Sequence, residues 1–363
     1  MTLKWEKVRL GDVAELQRGF DLPSTKRIEG EIPIVSSSGI TGFHVEAKAK
    51  APGVVTGRYG SIGDVFYLEQ DFWPLNTSLW VKDFHGNDEK FIYFLLSNFD
   101  FKKFSDKTGV PGVNRNDLHA VNVLLPPLSE QKKIAQILST WDKAISVTEK
   151  LLTNSQQQKK ALMQQLLTGK KRLLDENGVR FSGEWRNSTL SMFCNIAKGK
   201  ALSASDLEVG DFPVIAGGKS SPYSHSDYTH ENVVTVSASG AYAGYISYHN
   251  YKIWASDCSV VSAKADNLID YFYQLLLSLQ DKIYSLQSGG AQPHIYPKDL
   301  NSIPLWVPCV KEQQKIAAVL SAADAEISTL EKKLACLRDE KKALMQQLLT
   351  GKRRVKVDEA VAE

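Results

Sequence analysis

Residues 159–170 read KKALMQQLLTGK, and residues 341–352 repeat the same twelve letters at an offset of 182. Self-similarity at a fixed period constrains architecture ahead of any local propensity, because whatever the first copy folds into must form again in the second. At the same offset Glu130-Gln131-Lys132-Lys133-Ile134-Ala135 returns as Glu312-Gln313-Gln314-Lys315-Ile316-Ala317. An identical run of that length is not compositional chance. The chain is a tandem duplication.

The repeated stretch reads as helix. In the second copy Ile316, Leu320, Ala323, Ile327, Leu330, Leu334, Leu337, Lys341, Leu344 and Leu348 alternate steps of four and three, a heptad seam interrupted once by Lys341. The first copy keeps that register with Ile134, Leu138, Trp141, Ile145, Thr148, Leu152, Ser155, Lys159, Leu162 and Leu166. Ser129 is the expected N-cap of the first helix, and Gly169 and Gly351 stand where a C-cap glycine belongs. A helix of about 39 residues is roughly 58 Å long at 1.5 Å per residue. A strict 3.5-residue period is narrower than the stripe of an ordinary surface helix, so the two copies are expected to pair as an antiparallel coiled coil. The alternative is that each helix packs on its neighbouring domain. Thr148, Ser155 and Lys159 are expected to set the register of pairing.

The segments before the helices are weaker cousins. Trp5 and Leu10 align with Trp185 and Leu190 at offset 180, and Ile32-Pro33-Ile34-Val35-Ser36 answers Phe212-Pro213-Val214-Ile215-Ala216. Trp73, Asn76 and Ser78 answer Trp254, Asp257 and Ser259, and Asp117-Leu118 answers Asp299-Leu300. Both mix short β-rich runs with Gly/Ser turns and one late helix, near Glu89–Phe99 and Asn267–Ser285, which indicates an α+β class. The expected organisation is an α+β domain at 1–128, a long helix at 129–170, a linker at 171–183, a second α+β domain at 184–308, a C-terminal long helix at 309–352 and a disordered tail at 353–363.

Composition bears on location and partners. No apolar run approaches the ~20 residues of a membrane span, and the N-terminal MTLKWEKVRL lacks a signal-peptide core. Four scattered cysteines without C-x-x-C spacing suit a reducing, cytoplasmic setting. The two expected domains carry net charges of −1 and −3, while residues 129–170 and 311–352 carry +4 and +2. Nearly neutral domains argue against high-affinity DNA binding by this chain alone, since phosphate neutralisation supplies most non-specific affinity.

At this point the sequence resembles the specificity subunit of a type I restriction–modification enzyme, over essentially the whole chain. The resemblance is carried by the two variable domains, the LPPLSEQKKIA entry (124–135) into a long helix, the MQQLLTGKKR ending (163–172), and the second cycle of the same. VTGRYGSIGDVFY (55–67) with LNTSL (75–79) looks like the core of a first recognition domain; TVSASGAYAGY (235–245) with SDCSV (256–260) is a looser counterpart. The resemblance implies two target-recognition domains joined by antiparallel helices with pseudo-twofold symmetry. Each domain would read half of a bipartite, asymmetric site in double-stranded DNA, with the helices as a ruler spanning a gap of several base pairs. It also implies two methyltransferase subunits, and two restriction/motor subunits in the restricting form. S-adenosylmethionine, ATP and Mg are then expected on those partners, with none in this chain.

Candidate contact residues follow from chemistry and loop position. Thr56-Gly57-Arg58-Tyr59-Gly60 presents Arg58, suited to guanine or phosphate, beside the aromatic Tyr59. The 108–115 loop presents Asn114, suited to adenine, and Arg115. Asn76 behind Trp73-Pro74 is a base reader or a turn stabiliser, and Ser37 in the 36–38 run is a phosphate donor or plain loop. In the second half the counterparts are Lys219, Ser239, Tyr242, Gln292 and His294.

Catalysis by the chain itself is not expected. The glycine-rich cofactor loop and Asn/Asp-Pro-Pro-aromatic signature of an adenine methyltransferase are missing. Thr-Gly-Lys at 168–170 and 350–352 follows a helix and lacks the upstream glycine of a P-loop. Seven histidines show no metal-ligand spacing. The competing reading is a coiled-coil scaffold whose two domains bind protein.

Overall fold

The computed structural model describes residues 4–104, 112–218, 223–290 and 292–357. The chain forms two compact units that ignore the linear order of the repeat. The first combines residues 1–149 with 332–363, and the second is residues 150–331.

Each unit is built on the same strand plan. In the first, strands Glu15–Arg18, Ser78–Asp83, Gly53–Gly57 and Val65–Leu68 lie in that order in a four-stranded antiparallel sheet. Beside it Gly39–His44, Ile32–Ser36 and Trp73–Pro74 form a three-stranded sheet whose last pair is parallel, and Glu6–Arg9 pairs with Asn122–Leu125. The second unit repeats the plan with Cys194–Lys198, Cys258–Ala263, Val233–Ser237 and Ile246–His249, then Ser224–His225, Phe212–Ile215 and Trp254–Ala255, then Arg186–Thr189 with Pro304–Val307. One amphipathic helix backs each main sheet, Glu89–Ser97 in the first unit and Ile269–Ser278 in the second. The latter ends at a break before the short helix Gln280–Tyr284, so the single helix expected to Ser285 is two.

The long helices run Leu128–Leu166 and Val310–Leu348. The first begins one residue before Ser129, with the Glu130 N–H on the Pro127 carbonyl at 2.9 Å; Ser129 therefore sits inside the helix and is not its cap. Both ends turn as expected: Gly169 and Gly351 have φ of 70° and 71°, and the Lys171 and Arg353 N–H groups reach back to the Gln165 and Gln347 carbonyls at 3.0 Å.

Each unit takes its core from both repeats. Leu10, Val54, Leu79, Phe91 and Phe94 of the first unit enclose Ile134 and Leu138 from the start of the first long helix, with Leu348 and Leu349 from the end of the second. In the second unit Leu190, Val234, Tyr271 and Phe272 enclose Leu166 and Leu167 with Ile316 and Leu320. The two alternatives posed by the heptad, pairing with the other copy or packing on a domain, are therefore both realised within each unit. Every seam position is buried or half-buried: Ile134, Leu138, Trp141, Ile145, Thr148, Leu152, Ser155, Lys159, Leu162 and Leu166 in one helix, Ile316, Leu320, Ala323, Ile327, Leu330, Leu334, Leu337, Lys341, Leu344 and Leu348 in the other.

Three of the four polar seam positions pair across the helices, and Thr148, expected to set the register, does not. Lys341 Nζ lies 2.5 Å from Asp142 in the first unit, and Lys159 Nζ lies 2.5 Å from Asp324 in the second, equivalent pairs at offset 182. Ser155 donates to Glu326 at 2.9 Å, while Thr148 spends its hydroxyl on the Ala144 carbonyl of its own helix. The interruption seen in the heptad is thus half of an ion pair between the two helices.

The segments after the helices are also ordered. Arg172 forks onto Glu312 at 2.6 and 2.7 Å, Leu173 packs on the core, and Asp175 holds a turn through the Asn177 and Val179 N–H groups. Residues 171–183, the expected linker, are anchored at their start by Arg172 and Leu173 and then run through an exposed turn. In the expected tail, Arg354 Nε bonds Glu130 at 2.9 Å and Val355 packs on the first core, which orders residues 353–357; residues 358–363 lie outside the described ones.

Two outcomes follow. Asp324→Ala should cost about 3 kcal/mol in urea melts, and more than Lys159→Met. The first strands an ammonium with only 10% of its side chain exposed, whereas the second leaves a carboxylate that is 38% exposed and still bonded by Gln274. The opposite order would overturn the register role. For Glu130, burial pushes the carboxyl up, but hydrogen bonds from Arg354 and Trp5 outweigh it and hold it below its ordinary value. A folded value below the unfolded one stabilises above the carboxylate range and is lost as pH falls through the depressed value. The stability difference between the native chain and Glu130→Gln should therefore be present at pH 7 and close in acid, read by melting across pH; a constant difference contradicts this.

Candidate nucleic-acid interface

The residues singled out in the first half are far apart in sequence, and the backbone gathers them. Strand Gly53–Gly57 ends where an added Cβ on Gly57 would meet the Ser61 carbonyl at 1.8 Å, so the chain turns sharply there. Arg58 N–H then bonds the Thr77 carbonyl at 2.9 Å, and the Arg58 carbonyl receives the Val113 N–H at 2.9 Å. Tyr59 bridges Gly112, where a Cβ would strike the Tyr59 ring at 2.4 Å, so only glycine lets that ring lie flat on the opposite loop. Three loops thus meet at one junction.

Arg58, Tyr59, Asn114 and Arg115 line an open groove there with Gln17 and Arg18, and no carboxylate is among its described lining residues. The Arg58 guanidinium lies 4.4 Å above the Tyr59 ring and 3.5 Å from the Asn76 carbonyl, so its plane is held while its edge stays accessible. Arg115 is exposed at the first turn of helix Arg115–His119. The charge acts on its own helix: burial and then the nearby Arg115 push the His119 imidazole below its usual range, which suits the bond His119 Nε2 accepts from the Leu16 N–H at 2.9 Å.

Other candidates are spent on the fold. Asn114 caps helix Arg115–His119, accepting the Asn116 N–H at 3.0 Å. Asn76 Nδ2 donates to Asp21, which makes it the turn-stabilising side chain and not an open base reader. Ser37 is buried beneath the turn, its N–H on Thr77 Oγ1 at 3.4 Å, and has no surface left for a phosphate. Loop residues 108–111 lie outside the described ones.

The second unit builds the same junction with other side chains. Ala238 N–H bonds the Asp257 carbonyl at 3.2 Å, Ile295 N–H bonds the Ala238 carbonyl at 3.0 Å, and Ser239 bridges His294. Here the Ser239 hydroxyl donates to the Asp257 carboxylate and is not free to read a base. His294 stacks on Tyr296 with ring centroids 6.0 Å apart and planes 16° apart, while Gln292 and Tyr242 are exposed at the rim. Lys219 lies outside the described residues.

Three things were missed by sequence reasoning. Arg18 joins the groove from a strand with no motif around it, its only signal being a basic residue, Lys198, at the equivalent place. Gln131 welds the first long helix to its unit, donating to Asn87 at 2.8 Å and Pro126 at 2.9 Å and accepting the Asp88 N–H at 3.0 Å. Gln313 does the same with Asn267, Pro308 and Leu268. Buried Glu130 and Glu312 beside them were visible as repeated letters, but not as the anchors of Arg354 and Arg172.

Among the described residues no cluster of three or more His, Cys, Asp or Glu could hold a metal ion, and no helix is long and apolar enough to cross a membrane.

A family model for the type I restriction modification DNA specificity domain matches residues 2–154 and again 182–337. The putative type I restriction enzyme MjaX specificity subunit of Methanocaldococcus jannaschii is 28% identical over 294 residues, 73% of this chain and 68% of the relative. The MjaVIII specificity subunit of the same organism is 26% identical over 402 residues, covering 97% of this chain and 93% of its own. Among solved structures, the S subunit of a type I restriction-modification system from M. genitalium has the same fold, with a TM-score of 0.74, 19% identity and 96% of each chain covered. With both halves matched, the chain belongs to the type I restriction modification DNA specificity family.

Proposed function

We propose that this chain is the DNA sequence-specificity subunit of a type I restriction–modification complex and performs none of its chemistry. The observation that carries this reading is the junction formed twice: the same strand order and the same backbone hydrogen bonds and bridges hold Arg58 and Tyr59 in one unit and Ser239 and His294 in the other. A chain that keeps the frame and changes the lining is built to hold two different targets in one manner. Each unit reads one half of a bipartite, asymmetric site in double-stranded DNA. The long helices set the gap between half-sites and dock two methyltransferase subunits, with two restriction/motor subunits added in a restricting complex. S-adenosylmethionine, and ATP with Mg, serve those partners, in the cytoplasm. The near-neutral charge of the recognition domains fits a subunit that relies on partners for phosphate affinity.

Mapping methylated adenines in host DNA with the gene intact and deleted tests the reading directly. A split, asymmetric motif that vanishes on deletion is expected; an unchanged methylation pattern in a host that expresses the partners would overturn it.

Two further outcomes are expected. Arg58→Ala should relax recognition by about tenfold in the half-site read by the first unit alone; a uniform loss on all sequences would make Arg58 a phosphate contact. Leu330→Asp with Leu337→Asp places two charges in the seam and should abolish two-part methylation; normal methylation by that variant would sink the ruler.

A further inference from the structure

The two copies of the junction differ at almost every lining position, and the exceptions are informative. Arg58 is answered by Ala238, Tyr59 by Ser239, Gly112 by His294 and Arg115 by Pro297, so the basic character of the first groove is not kept in the second. Arg18 is answered by Lys198, and there it is kept.

The backbone holds these two residues alike. Each is the last residue of the first strand of its four-stranded sheet, opposite Leu79 in one unit and Ser259 in the other. The glycine that follows is pinned: Gly19 N–H bonds Ser78 O at 3.1 Å and Gly199 N–H bonds Cys258 O at 2.8 Å. A Cβ at Gly19 would meet Leu75 O at 2.1 Å, and at Gly199 Ser256 O at 2.3 Å. A rigid strand end therefore presents a cation at the same place in both units. Both side chains are open to solvent, Arg18 at 49%. Arg18 pairs with the still more exposed Asp21 at 3.2 Å, an exchange partner of little worth in water that a phosphate can replace.

Arginine in one copy and lysine in the other keeps the charge and discards the geometry. A phosphate requires a positive charge, whereas reading guanine or adenine depends on the shape of the donor set. We propose that Arg18 and Lys198 are sequence-independent phosphate anchors, one in each unit, that seat the duplex while the diverged junction residues read bases. This rests on the reading that the two units bind DNA.

The test uses the subunit assembled with its methyltransferase partners, titrated with duplexes carrying and lacking the mapped motif over a range of salt. Arg18→Ala and Lys198→Ala should each weaken binding to all duplexes alike, by about tenfold at low salt, and flatten the slope of log K against log salt by about 0.9. The double variant should flatten it by about twice that, the methylated motif should be unchanged, and Arg18→Lys should restore the native slope. An altered motif in one half-site, an unchanged slope, or failure of Arg18→Lys to rescue a variant that melts like the native chain would overturn the assignment. If the native complex itself shows no split motif, the functional reading fails instead, and the two failures are told apart.

Discussion

A buried carboxylate at the start of each long helix organises this protein. Glu312 has 1% of its side chain exposed, and a charge placed there costs several kcal/mol unless it is fully paired. Arg172 meets it with both ends of its fork, 2.6 and 2.7 Å away. That arginine sits just past the C-terminal turn of the other helix, so pairing the charge also fixes where that helix must end. The adjacent Gln313 bonds the chain leading into the backing helix. Glu130, Arg354 and Gln131 repeat the arrangement in the first unit. Helix start, helix end and the entry to the backing helix are each located by one polar dipeptide, and the apolar seam fills in behind it.

The helices were legible because their signal is local and periodic. Seam positions from Ile134 to Leu166 and from Ile316 to Leu348 could be marked from spacing alone, and φ > 0 at Gly169 and Gly351 follows from residue type. The sheets were not legible in the same way. Their strands are two to six residues long and pair across tens of residues, as with Ile34 and Trp73 in a parallel register. The composition of each unit, strands from one repeat and helix ends from both, leaves no mark in any single window of sequence.

Residue type misled most where the side chain was short and polar. Asn76, Asn114 and Ser239 have hydrogen-bonding capacity, and each spends it inside the fold: Asn114 on the start of its own helix, Asn76 on Asp21 and Ser239 on Asp257. Arg58, Tyr59 and Arg115 remain on the groove, with Arg58 steadied by the ring beneath it and by the Asn76 carbonyl.

The end of each long helix packs on the globular half that belongs to the other repeat: residues 159–170 lie in the unit formed by strands 186–307, and residues 341–352 in the unit formed by strands 6–125. Those two helix ends are letter-for-letter identical. The molecule thus offers two sockets of one pattern, each closed by the same Leu-Leu step, the same glycine turn against a tryptophan and the same arginine. Interchangeability follows. A globular half moved from one socket to the other would meet a helix end identical to the one it left, so halves with different target preferences can share one grip.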